Sequence, residues 1–225
     1  VETVKSTARA TPVSQKKALM GVSHGSRKEL IALCRELDRR KPVSVGLELR
    51  EDYEPADSRI GFFGDIYTYF KLKVVRLVLL DNPDLWNETQ AMQFLKAIHE
   101  GVSSLARLKY DLAEIMRRLE EDWITPEERI PSIIMAQRLQ RALELNQELP
   151  TGDLVLRRWQ ELNVQRSDYF VGRILHYVPE LVVVGLDHAR QMAPKLAEQY
   201  TLEIFSEAPA ELKGRTILSH DLLNQ

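Results

Sequence analysis

The chain has 225 residues, enough to build one sizeable core. Its hydrophobic fraction of 44% and charged fraction of 28% are those of an ordinary globular domain, which excludes disordered and fibrous classes. Lys and Arg number 31 against 33 Asp and Glu, a formal net charge of -2, and that balance argues against a nucleic-acid partner.

No apolar stretch approaches the ~20 residues of a membrane helix. The first seventeen residues are polar, so they read as a flexible leader and not as a secretory signal. A soluble, cytoplasmic protein is expected. Cys34, the one cysteine, lies between Leu33 and Leu37 in a helical pattern and is expected to be an inert packing group.

In chain order, Ala18-Leu19-Met20 is a short apolar run ending at Gly21, a first strand. Ser26 to Arg40 has Leu30, Leu33, Cys34 and Leu37 at helical spacing, with Ser26 and Glu29 as a capping box. Pro42 ends that helix. Val43, Val45 and Leu47 alternate into a second strand that ends on Glu48. A helix over Asp57 to Lys71 and a β-branched strand over Val74 to Leu80 follow.

Pro83 opens a helical middle. Ile98, Val102, Leu105, Leu112, Met116 and Leu119 mark one face of a single helix from about Asn87 to Glu120. Thr125-Pro126-Glu127-Glu128 starts another helix, which Pro131 is expected to kink or split. After a break at Pro150-Thr151-Gly152 come two helical pieces, stopped by Pro179. Trp86, Trp123 and Trp159 fall in this middle region and are expected to anchor packing.

Leu181-Val182-Val183-Val184 reads as a strand buried on both faces. A helix from Ala189 to Tyr200 and a last strand from Thr201 to Phe205 complete the pattern. The expectation is an α/β fold: a mixed or mostly parallel sheet flanked by helices, as a single domain over 18–225 with a helical insertion at about 83–165.

Two Gly-x-x-His motifs stand out: Gly21 to His24 and Gly185 to His188. Ten Gly and five His placed at random would give about 0.2 such motifs, and both of these follow apolar runs. Each lies where a strand hands over to a helix, the edge at which α/β sites gather. Glycine there permits a sharp turn or a close approach. Glu48 ends another buried strand, and a buried carboxylate needs a cation, a metal or a salt bridge with Arg50 or Arg166.

Gly21-x-x-His24, Glu48-Leu49 after an apolar strand, Arg166-Ser167-Asp168 opening a helix, and Val-Val-Val-Gly185-x-x-His188 together resemble the TraB/Tiki family. This belongs to a wider superfamily with erythromycin esterases and ChaN. The resemblance runs from about Met20 to Phe205. It implies metal-dependent peptidase activity or suppression of a peptide pheromone, and so a peptide as substrate. Three departures are visible: this sequence carries no C-terminal membrane helices, Val22 stands where the family usually has Thr, and Asp187 precedes the second His.

Two imidazoles and a carboxylate suit a divalent cation such as Zn, Mn or Co that polarises a carbonyl and activates water. On this reading His24, Glu48 and His188 are ligands, with Glu48 alternatively the general base. Arg166 orients Glu48 or stabilises an oxyanion. Gly21, Ser26, Arg50, Asp168 and Gly185 support the site or the peptide or small-molecule substrate. A metal-free His/Glu hydrolase and a non-catalytic ligand-sequestering module remain alternatives. The apolar stripe of the helical middle also leaves open a homodimer.

Overall fold

A computed structural model describes residues 17–23, 27–53, 61–73, 75–121 and 123–205. The leader before Lys17, and with it the tail after Phe205, lies outside them, as do His24 and Ser26. Five strands form one all-parallel sheet: β1 (Lys17–Val22), β2 (Ser44–Arg50), β3 (Arg76–Asp81), β4 (Leu181–Gly185) and β5 (Tyr200–Phe205), in the order β3-β2-β4-β1-β5. The α/β expectation is met, and the sheet is parallel throughout.

The alternation within the strands sorts side chains to two faces. Met20, Val22, Val45, Leu47, Leu181 and Val183 pack against Leu33 and Leu37 of α1 (Arg27–Arg40) and Ile66 and Phe70 of α2 (Phe62–Lys71). Leu19, Val182 and Val184 take the other face. There they meet Phe170 and Ile174 of α6 (Gly152–Tyr177) and Ala189 and Met192 of α7 (Leu186–Leu196). All five residues of β4 are buried, as its uninterrupted apolar run requires.

A third apolar cluster lies in the helical middle. It joins α3 (Pro83–His99), α4 (Leu105–Leu119), α5 (Pro126–Glu148) and the first half of α6 through Met92, Leu95, Leu139, Leu145, Val155 and Leu162. Helix α6 therefore belongs to two cores. Its early turns face the helical layer and its late turns face the sheet, so the expected insertion has no clean end at 165.

Several boundaries differ from expectation for local reasons. The long helix over 87–120 is two helices: Gly101 turns at φ 72, and Ser104 caps α4 by accepting from the Arg107 amide. Val102 and Met116, read as part of one apolar face, are exposed. Pro131 does not split α5. It lies near the start of that helix, where its missing amide costs a single backbone bond on an outer turn. The Thr125–Glu128 capping box is present as read. The two pieces after Gly152 are one continuous helix. Helix α7 starts three residues early, and Tyr200 belongs to β5, its hydroxyl donating to Pro179 O at 2.7 Å. Strand β2 passes Glu48 and runs on to Arg50 through a register shift against β3. In α2 the described helix begins at Phe62, and in β3 at Arg76.

Gly21 is required for packing. It lies inside β1, not at a turn, and a Cβ there would sit 2.9 Å from Ala189 Cβ and 3.1 Å from Leu186 Cδ1. Gly21→Ala should therefore cost about 1–3 kcal/mol, the range for overpacking a filled core, seen as a lower urea midpoint at unchanged slope.

Candidate functional site

Parallel pairing brings the two motif strands side by side. Gly21 stands opposite Val184 and Val22 opposite Gly185, with β2 on the far side of β4. The carboxyl ends of β1, β2 and β4 thus share one edge, and Glu48, Gly185 and His188 meet there. His24 lies outside the described residues, so its position relative to them is open.

Glu48 is held from two sides. Its Oε2 accepts the Gly185 backbone N–H at 2.7 Å, at the start of α7, where a negative charge is favoured by the helix dipole. Its Oε1 accepts from Arg166 Nη2 at 3.0 Å. The salt bridge that burial called for is therefore made with Arg166. Arg50 instead pairs through Nε with Asp52 at 3.0 Å.

Arg166 also grips Asp81, with Nε 3.2 Å from both carboxylate oxygens and Nη2 on Oδ2. Asp81 closes β3 and is fully buried. Two carboxylates thus share one guanidinium, a net charge of -1 if all three ionise. Burial outweighs the attraction of Arg166 and lifts the Asp81 carboxyl to about 6, while Arg166, despite its own burial, is pushed up by Glu48 and Asp81. Both shifts are upward, which favours the charged form of the cation and disfavours that of the acid, because the cation has two acids and the deeper acid bears the excess charge. Asp81 was not singled out in the sequence, although an acid after Leu79-Leu80 is the same signal as Glu48.

His188 is buried in the first turn of α7, against Phe170 at 5.0 Å between ring centroids. Its Nδ1 is 2.7 Å from Ser167 Oγ. That hydroxyl also lies 2.9 Å from Asn163 O and 2.7 Å from the Gln191 side-chain amide. One hydroxyl proton cannot serve all three neighbours. As placed, Gln191 Oε1 and Asn163 O would both accept from Oγ; the assignment that satisfies all three has Oγ–H donating to Asn163 O, the imidazole Nδ1–H donating to Oγ, and the Gln191 amide turned over so that its nitrogen, in place of Oε1, donates to Oγ.

The other imidazole nitrogen then presents its lone pair near Glu48, with Nε2 3.6 Å from Oε1. Two electron-rich atoms at that separation are stabilised by positive charge between them, either a second imidazole proton or a cation. The spacing is longer than a hydrogen bond. It matches two donors at about 2.0–2.2 Å from one tetrahedral ion, which stand roughly 3.3–3.6 Å apart. Among the described residues no group of three His, Cys, Asp or Glu could hold a metal ion, so these supply a pair of donors at most.

The site opens on a cavity of about 1010 Å³ between the sheet edge and the helical layer. Glu48, Arg50, Arg166, Gly185 and His188 all line it, as does Ser23, whose hydroxyl donates to Glu29 Oε1 at 2.9 Å. Asp168 does not. Two residues on from Arg166, it points around the helix to solvent and pairs with Lys195. Trp159 packs against the helical cluster as expected and also lines the cavity, Trp86 is a cavity wall, and Trp123 is exposed. Ser167, Asn163 and Gln191 carried no signal beyond their neighbours. Cys34 is half-buried, its thiol pushed up by burial and then by Asp38, in keeping with an inert group. Among the described residues no helix is long and apolar enough to cross a membrane.

Two measurements check this electrostatic account. Arg166→Leu leaves two buried carboxylates without their cation and should destabilise by about 3–5 kcal/mol in denaturant unfolding. Asp81 binds a proton more tightly folded than unfolded, so its contribution to stability is full below about pH 4 and falls as pH rises through about 6. The slope there approaches about 1.4 kcal/mol per pH unit. Asp81→Asn should lack that downward component when midpoints are compared across pH 4 to 7. Comparison of the chain with protein-family models, curated proteins and solved structures finds no match.

Proposed function

We propose that the protein is a metal-dependent hydrolase acting on peptides, of the TraB/Tiki type, with Glu48 and His188 as ligands and His24 as the third. The observation that carries this reading is the junction of Glu48, Arg166 and His188 at the strand ends, facing a large cavity. A divalent cation held there would polarise the scissile carbonyl and acidify water.

The chain's own residues do the rest. Arg166 and the Gly185 amide fix the direction of Glu48. Ser167 fixes the imidazole tautomer that leaves Nε2 able to donate a lone pair. Water adds its oxygen to the amide carbon, the carbon–nitrogen bond breaks, and the proton given up by water passes to the departing amine, carried by Glu48 where that residue serves as general base in place of ligand. Arg166 is committed to two acids, which supports positioning Glu48 over stabilising an oxyanion.

A second reading draws on the Ser167–His188 bond. An imidazole so oriented, beside Glu48, can activate water without a metal. Elemental analysis after metal-replete expression separates the two. The metal reading expects about one equivalent of divalent cation per chain, lost in His188→Ala and in His24→Ala. Wild type free of metal sinks it, and hydrolysis of a peptide library that persists in strong chelator selects the second. Under either, His188→Ala should lower kcat/KM by roughly 10²–10⁴-fold.

A further inference from the structure

Trp86 of α3 also lines the cavity. Two guanidinium groups pack on its indole: the Arg138 carbon lies 4.3 Å from the ring centroid and the Arg50 carbon 5.4 Å. All three residues line the cavity. Arg50 is buried, with Nε on the exposed Asp52, and Arg138 Nε donates to Asn87 Oδ1 at 3.4 Å. Packing against an aromatic ring restricts a guanidinium, so less freedom is lost when its planar fork meets a planar anion.

The lining acids are Glu48 of β2 and Asp187 in the first turn of α7. Among the described residues, α3, α5 and α6 bring arginines, amides and apolar groups to the cavity but no acid. Phe94, Met135 and Trp159 make that helical side largely apolar. Glu48 and Arg50 stand two residues apart on β2, roughly 6–7 Å along a strand. An anion at Arg50 therefore sits one or two peptide units from a bond held at Glu48 and His188.

We propose that Arg50, Arg138 and Trp86 form a carboxylate subsite for the free carboxyl terminus of a short peptide or N-acylated amino acid, with its apolar side chain against the aromatic wall. Calling that ligand the substrate rests on the hydrolase reading; the binding itself needs no turnover.

Tryptophan fluorescence of the full chain, titrated with N-acetyl-phenylalanine and with N-acetyl-phenylalaninamide, tests it, because the two differ only in the carboxylate. The acid should bind roughly ten-fold or more tightly than the amide. Arg138→Gln and Arg50→Gln should each bring the two within about two-fold of one another, and His188→Ala should keep the preference. Equal binding of acid and amide, absence of saturable binding by the acid, or a preference unchanged in both arginine variants would overturn the subsite. The wild-type comparison decides even if a variant fails to fold. A chain without metal or turnover that still prefers the acid would sink the hydrolase reading and leave the subsite standing.

Discussion

A guanidinium buried at the carboxyl edge of the sheet must find its counter-charges within reach, and Arg166 finds them on two different strands. Glu48 comes from β2 and Asp81 from β3, while Arg166 itself is carried by α6. The pairing therefore fixes the helix against the sheet edge at the level where β2 and β4 end. Desolvating three charged groups is costly, and the mutual attraction has to offset it. Geometry at this point is consequently less free to vary than in an apolar contact. Everything placed relative to Glu48, His188 and the cavity mouth included, inherits that constraint.

Helix α6 carries Arg166 and Ser167 between its two packing regions. Leu162, one turn earlier, faces the helical cluster, and Phe170, one turn later, faces the sheet. The residues between them lie where neither core closes, and there the cavity opens. Polar side chains are tolerated at that gap because they satisfy one another: Arg166 with the acids, and Ser167 with Asn163, His188 and Gln191. The helical layer also supplies a wall of its own, with Trp86 and Arg138 opposite the sheet edge. Such a cavity brings arginines and aromatic walls together with the acids of the site, a combination suited to ligands that carry an anion on an apolar body.

Much of this was legible before any coordinates. The apolar runs at Leu19, Val45 and Val182 name three strands, and their helical partners follow from 3.6-residue spacing. Glu48 stands out as a charge closing an apolar strand and Arg166 through the family resemblance, and they do pair. The errors have physical sources. Spacing cannot see the αL turn at Gly101, because a stripe of apolar residues continues across it in sequence. It gave no reason to separate Asp168 from Arg166, although two residues on a helix point about 200° apart.

The sequence by itself determined the α/β class, the strand-end position of the Gly185-x-x-His188 motif and the residue types available for chemistry. These depend on local periodicity and on turn and capping preferences, which act over a few residues. Only the tertiary structure decided the strand order, the sharing of Arg166 between Glu48 and Asp81, the role of Gly21 as a seat for Ala189, and the wall that Trp86 and Arg138 make opposite the site. Each of those joins groups distant in the chain, and such contacts are selected by the packing and charge balance of the whole molecule, which no local pattern encodes.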